Sequence, residues 1–144
     1  METIAVMRIG PGDVGLARQA VRDVHERASV DDAELAPFLA DSRNHLHVAV
    51  HAGEVVGSLN GYALRHPGRR KPQFLLYEID VRANWRRRGI ATRLVESFLA
   101  AARDAGAFEV WVLTNASNDA AMALYRRCGF ARRNADDVMF SVDL

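Results

Sequence analysis

The chain holds one cysteine, Cys128, in 144 residues, which excludes an internal disulfide. A cysteine just before Gly129 on an apolar helix is expected in the core rather than as a reactive thiol or metal ligand. No run of 18 apolar residues exists and the N-terminus lacks the apolar stretch of a secretory leader, so no membrane partner is expected and the cytoplasm is the default location. Repeats and low-complexity tracts are missing too. So are two nucleotide signatures: the three-glycine dinucleotide fingerprint and the Gly-Lys-Ser/Thr of the P-loop.

What is present fits one soluble domain over residues 1–144, with 49% apolar and 26% charged residues. The formal charge of +1 conceals patterning, because residues 82–93 carry five arginines and no acid, whereas residues 31–41 carry four acids. The basic loop Arg65, Arg69, Arg70, Lys71 lacks interleaved aromatics, so no nucleic-acid partner is expected. It reads as a solvated loop or a neighbour of a bound phosphate.

Tyr77-Glu78-Ile79-Asp80-Val81 followed by Arg86-Arg87-Arg88-Gly89-Ile90-Ala91 is the most informative stretch. A strand runs into three arginines, then a glycine, then a helix carrying Leu94, Val95, Phe98, Leu99 and Ala102. Glycine lets the backbone approach a ligand, and the unbonded N–H groups of a first helical turn attract an anion. Arginines add charge and forked donors suited to phosphate.

Elements alternate along the chain. Residues 13–28 read as a helix with Val14, Ala17, Val21, Val24 and Ala28 on one face, and Asp31 or Asp32 caps a second helix through Leu39. Strands are expected at 45–51 and 55–64, joined at Ala52-Gly53-Glu54, with a loop over 65–73. Then follow a strand at 74–81, a helix at 90–105 stopped by Gly106, a strand at 109–114 and a helix at 118–128. Two last strands are expected at 130–133 and 138–144. The fold class is α+β: a mixed, mostly antiparallel central sheet flanked by helices. The strand–helix–strand order around 90–105 supplies one parallel pair.

Two motifs carry a resemblance. Arg86-x-x-Gly89-x-Ala91 resembles the Q/R-x-x-G-x-G/A signature of the GNAT superfamily of N-acetyltransferases. About 30 residues on, Asn118 to Phe130 is similar to that family's N-x-x-A-x-x-x-Y-x-x-x-G-F segment at every fixed position. Asn118 suits a helix start and Gly129 a helix end, and seven residues of helix put Asn118 and Tyr125 on roughly one face. The resemblance covers 74–144 well and the first half in outline.

The resemblance implies acetyl-CoA as co-substrate, no metal, and direct transfer to an amine in a ternary complex. It places the cofactor on Val81, Arg86, Arg87, Arg88, Gly89, Ile90, Ala91, Thr92 and Asn118. Main-chain N–H groups at Asp80, Val81 and Arg82 would face the acetyl oxygen, and Tyr125 would protonate the leaving thiolate. Some relatives carry a glutamate five residues before the asparagine; here that position is Leu113. Glu78 and Asp80 remain, two apart and therefore on one face, with Glu78 favoured as base and Asp80 as a site for a cationic amine. Either of them meeting an arginine across the sheet is the plain alternative.

Tyr77 to Val81, Glu109 to Thr114 and Asp136 to Phe140 further resemble the aminoglycoside 3-N-acetyltransferase branch. Such a polycationic small-molecule amine calls for converging carboxylates: Glu78, Asp80, Asp136 and Asp137, with Asp31, Asp32 and Glu34. The competing expectations are that Asp31 and Asp32 cap a helix and that Asp136-Asp137 is a solvated turn. Protein or peptide amines are the alternative acceptors, and a non-catalytic acetyl-CoA-binding module is the alternative class. A homodimer is also implied, although the residues define no interface. His45, His47 and His51 share a strand face without a completing ligand, so no metal is expected. Trp111 is expected in the core, while Trp85 stays open between packing and stacking on a ligand.

Overall fold

In the computed structural model, which describes residues 3–27 and 29–144, five strands lie side by side in chain order. They are β1 (Ala5–Arg8), β2 (Asn44–His51), β3 (Glu54–Leu64), β4 (Gln73–Val81) and β5 (Glu109–Val112). The first three junctions are antiparallel and β4–β5 is parallel. The parallel pair follows from the crossover helix α3 (Ile90–Asp104), which returns the chain to the starting end of β4. The expected mixed sheet is therefore the observed one.

Helices cover both faces. α1 (Val14–Gln19) and α2 (Asp32–Ala40) close one apolar core with Leu46, Val48 and Val55. On the other face α3 buries Ile90, Leu94, Val95, Phe98 and Ala102 against Leu59, Phe74 and Leu76, with α4 (Asp119–Arg127) beside it. β2 and β3 lie under both layers, which is why each is buried on both faces along its middle, with the polar His45, His47 and Ser58 buried among the apolar residues. Gly61 on β3 is obligatory in this packing. A Cβ there would lie 2.4 Å from the Phe98 ring and 2.6 Å from the Leu75 carbonyl oxygen.

A bulge in β4 positions the carboxylates. Asn60 faces Glu78 while the next residue, Gly61, faces Leu76, so Tyr77 is the extra residue. Phe74 and Leu76 therefore point into the α3 core, whereas Glu78 points to the α1–α2 side and meets Arg27. Without the bulge, period-two alternation would have kept Leu76 and Glu78 on one face.

Four expectations need correction. The helix expected over 13–28 starts with a 3-10 turn at Pro11–Asp13 and ends in a π turn, Ala20–Val24, closed by the His25 N–H on the Ala20 carbonyl. Ala28 lies outside the described residues. β1 was not foreseen; it is short and stops before Gly10-Pro11-Gly12. β5 ends at Val112, not at residue 114. Residues 130–133 and 138–144 form no strands, because their backbone finds no ladder partner within the described chain.

Candidate active site

The turn between β4 and α3 is shaped as expected for an anion. Gly89 is the N-cap of α3 in the left-handed region, φ 76°, and Arg87 is left-handed too, φ 62°. No side chain caps the helix, and the first internal bond is Arg93 N–H to the Gly89 carbonyl. The amides of Ile90, Ala91 and Thr92 thus have no protein acceptor among the described residues, and apart from its own chain neighbours no described atom lies within 4 Å of where a Gly89 Cβ would sit. These open amides at the positive end of a 15-residue helix fit the pyrophosphate of a CoA molecule.

The arginines divide their tasks. Arg86 turns back on β4, donating Nε to the Val81 carbonyl at 2.9 Å and Nη2 to Asp80 at 3.3 Å. Arg88 donates to the Asn84 carbonyl and lies over the Trp85 ring, which in turn packs on His51. Arg127 of α4 donates to the Thr92 hydroxyl at 3.1 Å.

Of the three amides expected near the acetyl oxygen, only one faces the open side of β4. The Arg82 N–H is bonded to the Val56 carbonyl, so alternation turns the Val81 N–H the other way. β5 pairs only with Gln73 to Leu76, leaving the last residues of β4 without a neighbour there. The Val81 N–H is held by Asp80 Oδ1 at 2.8 Å, and the same oxygen meets Arg86. Asp80 is thereby tied into the end of its own strand.

Glu78 sits in a different setting. Its carboxylate meets Arg27 at 3.1 Å and lies 3.9 Å from the His25 imidazole, both delivered by the chain leaving the π turn. Burial pushes His25 below the usual imidazole range, against the upward pull of Glu78, so the ring is neutral at pH 7. Directly across the sheet, Ser58 faces Asp80 and Asn60 faces Glu78. Three buried polar atoms in this patch have no partner: His25 Nε2, Ser58 Oγ and Asn60 Oδ1. Buried polar groups are nearly always bonded, so a cluster of exceptions beside a carboxylate marks a place where a polar ligand or water belongs. Sequence reasoning missed His25, Arg27, Ser58 and Asn60. The signal available was Ser58 and Asn60 two apart inside the apolar run of β3.

Tyr125 lies on α4, buried, with its ring edge-on to Phe130. Burial, with a smaller contribution from Cys128, raises its pKa, so the phenol keeps its proton at neutral pH. Asn118 is the N-cap of α4, its side-chain oxygen accepting from Ala121 N–H at 3.0 Å. Cys128 is half-buried against the α3 core.

The expected convergence of acids does not form. Asp137 lines a cavity with β5, α4 and residues 130–134 that includes neither Glu78 nor Asp80, and Asp136 is exposed in a turn onto Asn134. Asp31 caps α2, as the competing expectation had it, while Asp32 lies in the first turn of α2 and pairs with Arg18. Trp111, expected in the core, is only half-buried on β5.

His45 and His47 are buried and stacked, with His47 Nδ1 bonded to the Ser97 hydroxyl at 2.8 Å. Burial lowers their pKa values to about 4 and about 3, and His51 bonds the Thr3 carbonyl. No group of three or more His, Cys, Asp or Glu is placed to hold a metal among the described residues, nor is any described helix long and apolar enough to cross a membrane.

The N-terminus of α3 is open, the end of β4 before it has no neighbour on one side, and α4 carries a buried tyrosine that keeps its proton. Residues 15–130 match the acetyltransferase (GNAT) family, and the chain belongs to it. A curated relative, the probable N-acetyltransferase family 8 member 5 of Mus musculus, is 30% identical over 118 residues, 81% of this chain and 52% of that protein. The chain spans about half the length of the first curated relatives it matches. Among solved structures, the aminoglycoside acetyltransferase HMB0005 from an uncultured soil metagenomic sample superimposes with a TM-score of 0.87 at 23% identity, covering 99% of both chains. The ribosomal-protein-alanine N-acetyltransferase of Brucella melitensis biovar Abortus 2308 gives 0.70 at 18% identity, covering 99% of this chain and 100% of that one. At these identities both show a shared fold.

Proposed function

We propose that the chain transfers an acetyl group from acetyl-CoA to a primary amine of a small polycationic molecule, an aminoglycoside being the leading choice. The observation that carries this reading is the bulge at Tyr77, which turns Glu78 into a patch of unpartnered buried polar atoms on the face opposite α3. Acceptor and cofactor then approach the end of β4 from opposite sides.

Acetyl-CoA supplies the activated acyl thioester. The amides of Ile90, Ala91 and Thr92 hold its pyrophosphate, with Arg87 and Arg88 adding positive charge and the Asn118 amide lying near the CoA arm. Arg86 serves by bracing the end of β4. The Val81 N–H stabilises negative charge on the acyl oxygen once the Asp80 carboxylate yields it. Glu78 takes the proton from the amine, directly or through water, and Arg27 and neutral His25 hold its carboxylate in place. Tyr125 returns a proton to the departing sulfur. Removing that proton donor, Tyr125→Phe, lowers turnover about 100-fold and leaves acetyl-CoA affinity unchanged; unaltered turnover removes Tyr125 as the acid.

Asp80 is the weaker candidate for the base, since its oxygen is already committed to Val81 and Arg86. Asp136 and Asp137 bind acceptor only if the segment carrying them moves toward β4. The experiment is thiol release from acetyl-CoA, screened over aminoglycosides, polyamines and peptides with free N-termini or lysines. Turnover confined to peptides transfers the assignment to protein acetylation. Tight CoA binding with no turnover on any acceptor makes the chain a binding module.

A further inference from the structure

The face of the sheet that holds Glu78 also carries a row of aromatic rings that no step of acetyl transfer uses. Tyr77 is the extra residue of the β4 bulge, and it remains 60% exposed. Its ring lies edge-on to Tyr62 of β3 at 5.8 Å, and Tyr62 lies edge-on to Phe38 of α2 at 6.4 Å. The row therefore runs from α2 across β3 to the part of β4 that has no β5 neighbour. Asn60, opposite Glu78 in the ladder, donates its side-chain amide to the Tyr62 hydroxyl at 3.1 Å. Tyr62 is thus fixed between α2 and the polar patch, and Tyr77 leans on it beside the carboxylate.

Charge does little of the selecting here. Glu78 is paired with Arg27 and Asp80 with Arg86, so these four groups cancel. A polycation gains little from a balanced set of partly exposed pairs. What this face offers besides one carboxylate is aromatic surface. Ring faces attract cationic and C–H-rich groups laid against them, and a rigid ring loses less freedom on docking than a flexible chain does.

We infer that Tyr77, braced by Tyr62, selects acceptors whose primary amine is carried on a saturated ring, an amino sugar or an aminocyclitol, over linear polyamines and lysine side chains. The amine nitrogen lies at Glu78 and the ring face lies on Tyr77. Placing an acceptor here rests on the proposed acetyl transfer, but the selection is a matter of binding and is measured without turnover.

The test is calorimetric titration of the chain in the presence of excess CoA, which carries no acetyl group to transfer, with two tetraamines: neamine, which is ring-borne, and spermine, which is linear. The parent should bind neamine about 10-fold tighter than spermine or better. Tyr77→Ala should weaken neamine about 10-fold and leave spermine within about twofold. Its circular dichroism should be unchanged, because the ring is mostly exposed. Tyr77→Leu, which keeps apolar bulk without a ring, should behave as Tyr77→Ala does. Tyr77→Phe should bind neamine as the parent does, since the ring face and not the hydroxyl makes the contact. Equal weakening of both amines, no weakening of either, or a parent that does not bind neamine overturns the inference. Neamine binding that depends on Tyr77 without any turnover from acetyl-CoA upholds it and removes the acetyl-transfer reading instead.

Discussion

β3 and β5 are comparably apolar in sequence and end up in opposite situations. Val55 to Leu59 of β3 are all buried, between β2 and β4 in the sheet and between two helical layers. Val110, Trp111 and Val112 of β5 are only half-buried, and Leu113 just beyond is exposed. Hydrophobicity alone therefore does not report how completely a strand will be covered. At β3 the cover comes from nearby helices of the same chain. At β5 the α3-side core covers Val110 and Val112 only in part.

The contrast breaks most sharply at Gly61. Gly61→Val forces a side chain against the Phe98 ring and the Leu75 carbonyl, so it should cost about 3 kcal/mol or more by overpacking. Urea unfolding measures it. A loss below about 1 kcal/mol would mean that the β3–α3 contact is far more yielding than its spacing implies.

The chemical side of the comparison is sharpened by Glu78→Gln. Gln keeps the size and the hydrogen-bonding reach toward Arg27 but removes the proton acceptor. The acetylation rate should fall about 100-fold while the fold is retained. If Asp80→Asn proves far more damaging, the base lies one step along β4 and Glu78 serves the acceptor instead.

Local features were the legible ones. The turn from Arg86 to Ala91 and the helix from Asn118 to Gly129 depend on neighbours within a few residues, and both stand where their residues indicate. Glu78 and Asp80 were legible as a pair because strand periodicity holds between them. Their surroundings were not, since His25 and Arg27 arrive from about 50 residues upstream through a π turn with no sequence mark. The bulge at Tyr77 was equally hidden, because it is a mismatch between two strands rather than a property of one. The two last strands were over-read for a related reason. Alternation in 138–144 is real, but a strand also needs a partner, which composition cannot display.

Acid should unravel the covered centre before the edge. His45 and His47 have folded-state pKa values of about 4 and about 3, below the ordinary 6.5. The unfolded chain therefore binds more protons between these values, and stability rises with pH across that window. It is complete above pH 6.5 and is lost progressively as pH falls toward 4 and below. For a single such histidine the loss is about 2 kcal/mol at pH 5. Thermal unfolding across this range should show the slope in the parent and a flatter one in His45→Phe; equal slopes would mean that carboxylates, not the buried imidazoles, control acid sensitivity.

The smallest expected effect falls at the edge, and it discriminates best between a lone chain and an assembled one. Leu113 is 59% exposed, so Leu113→Ala in a single copy should change stability by less than about 0.5 kcal/mol. If a second copy packs on β5, that side chain becomes interior. The same substitution then costs about 2 kcal/mol or more. The melting temperature should also depend on protein concentration, because assembly and folding are linked by mass action. Melting parent and variant at low and high concentration separates the cases. A gap that widens with concentration places Leu113 under another chain, and a small constant gap leaves β5 an open edge.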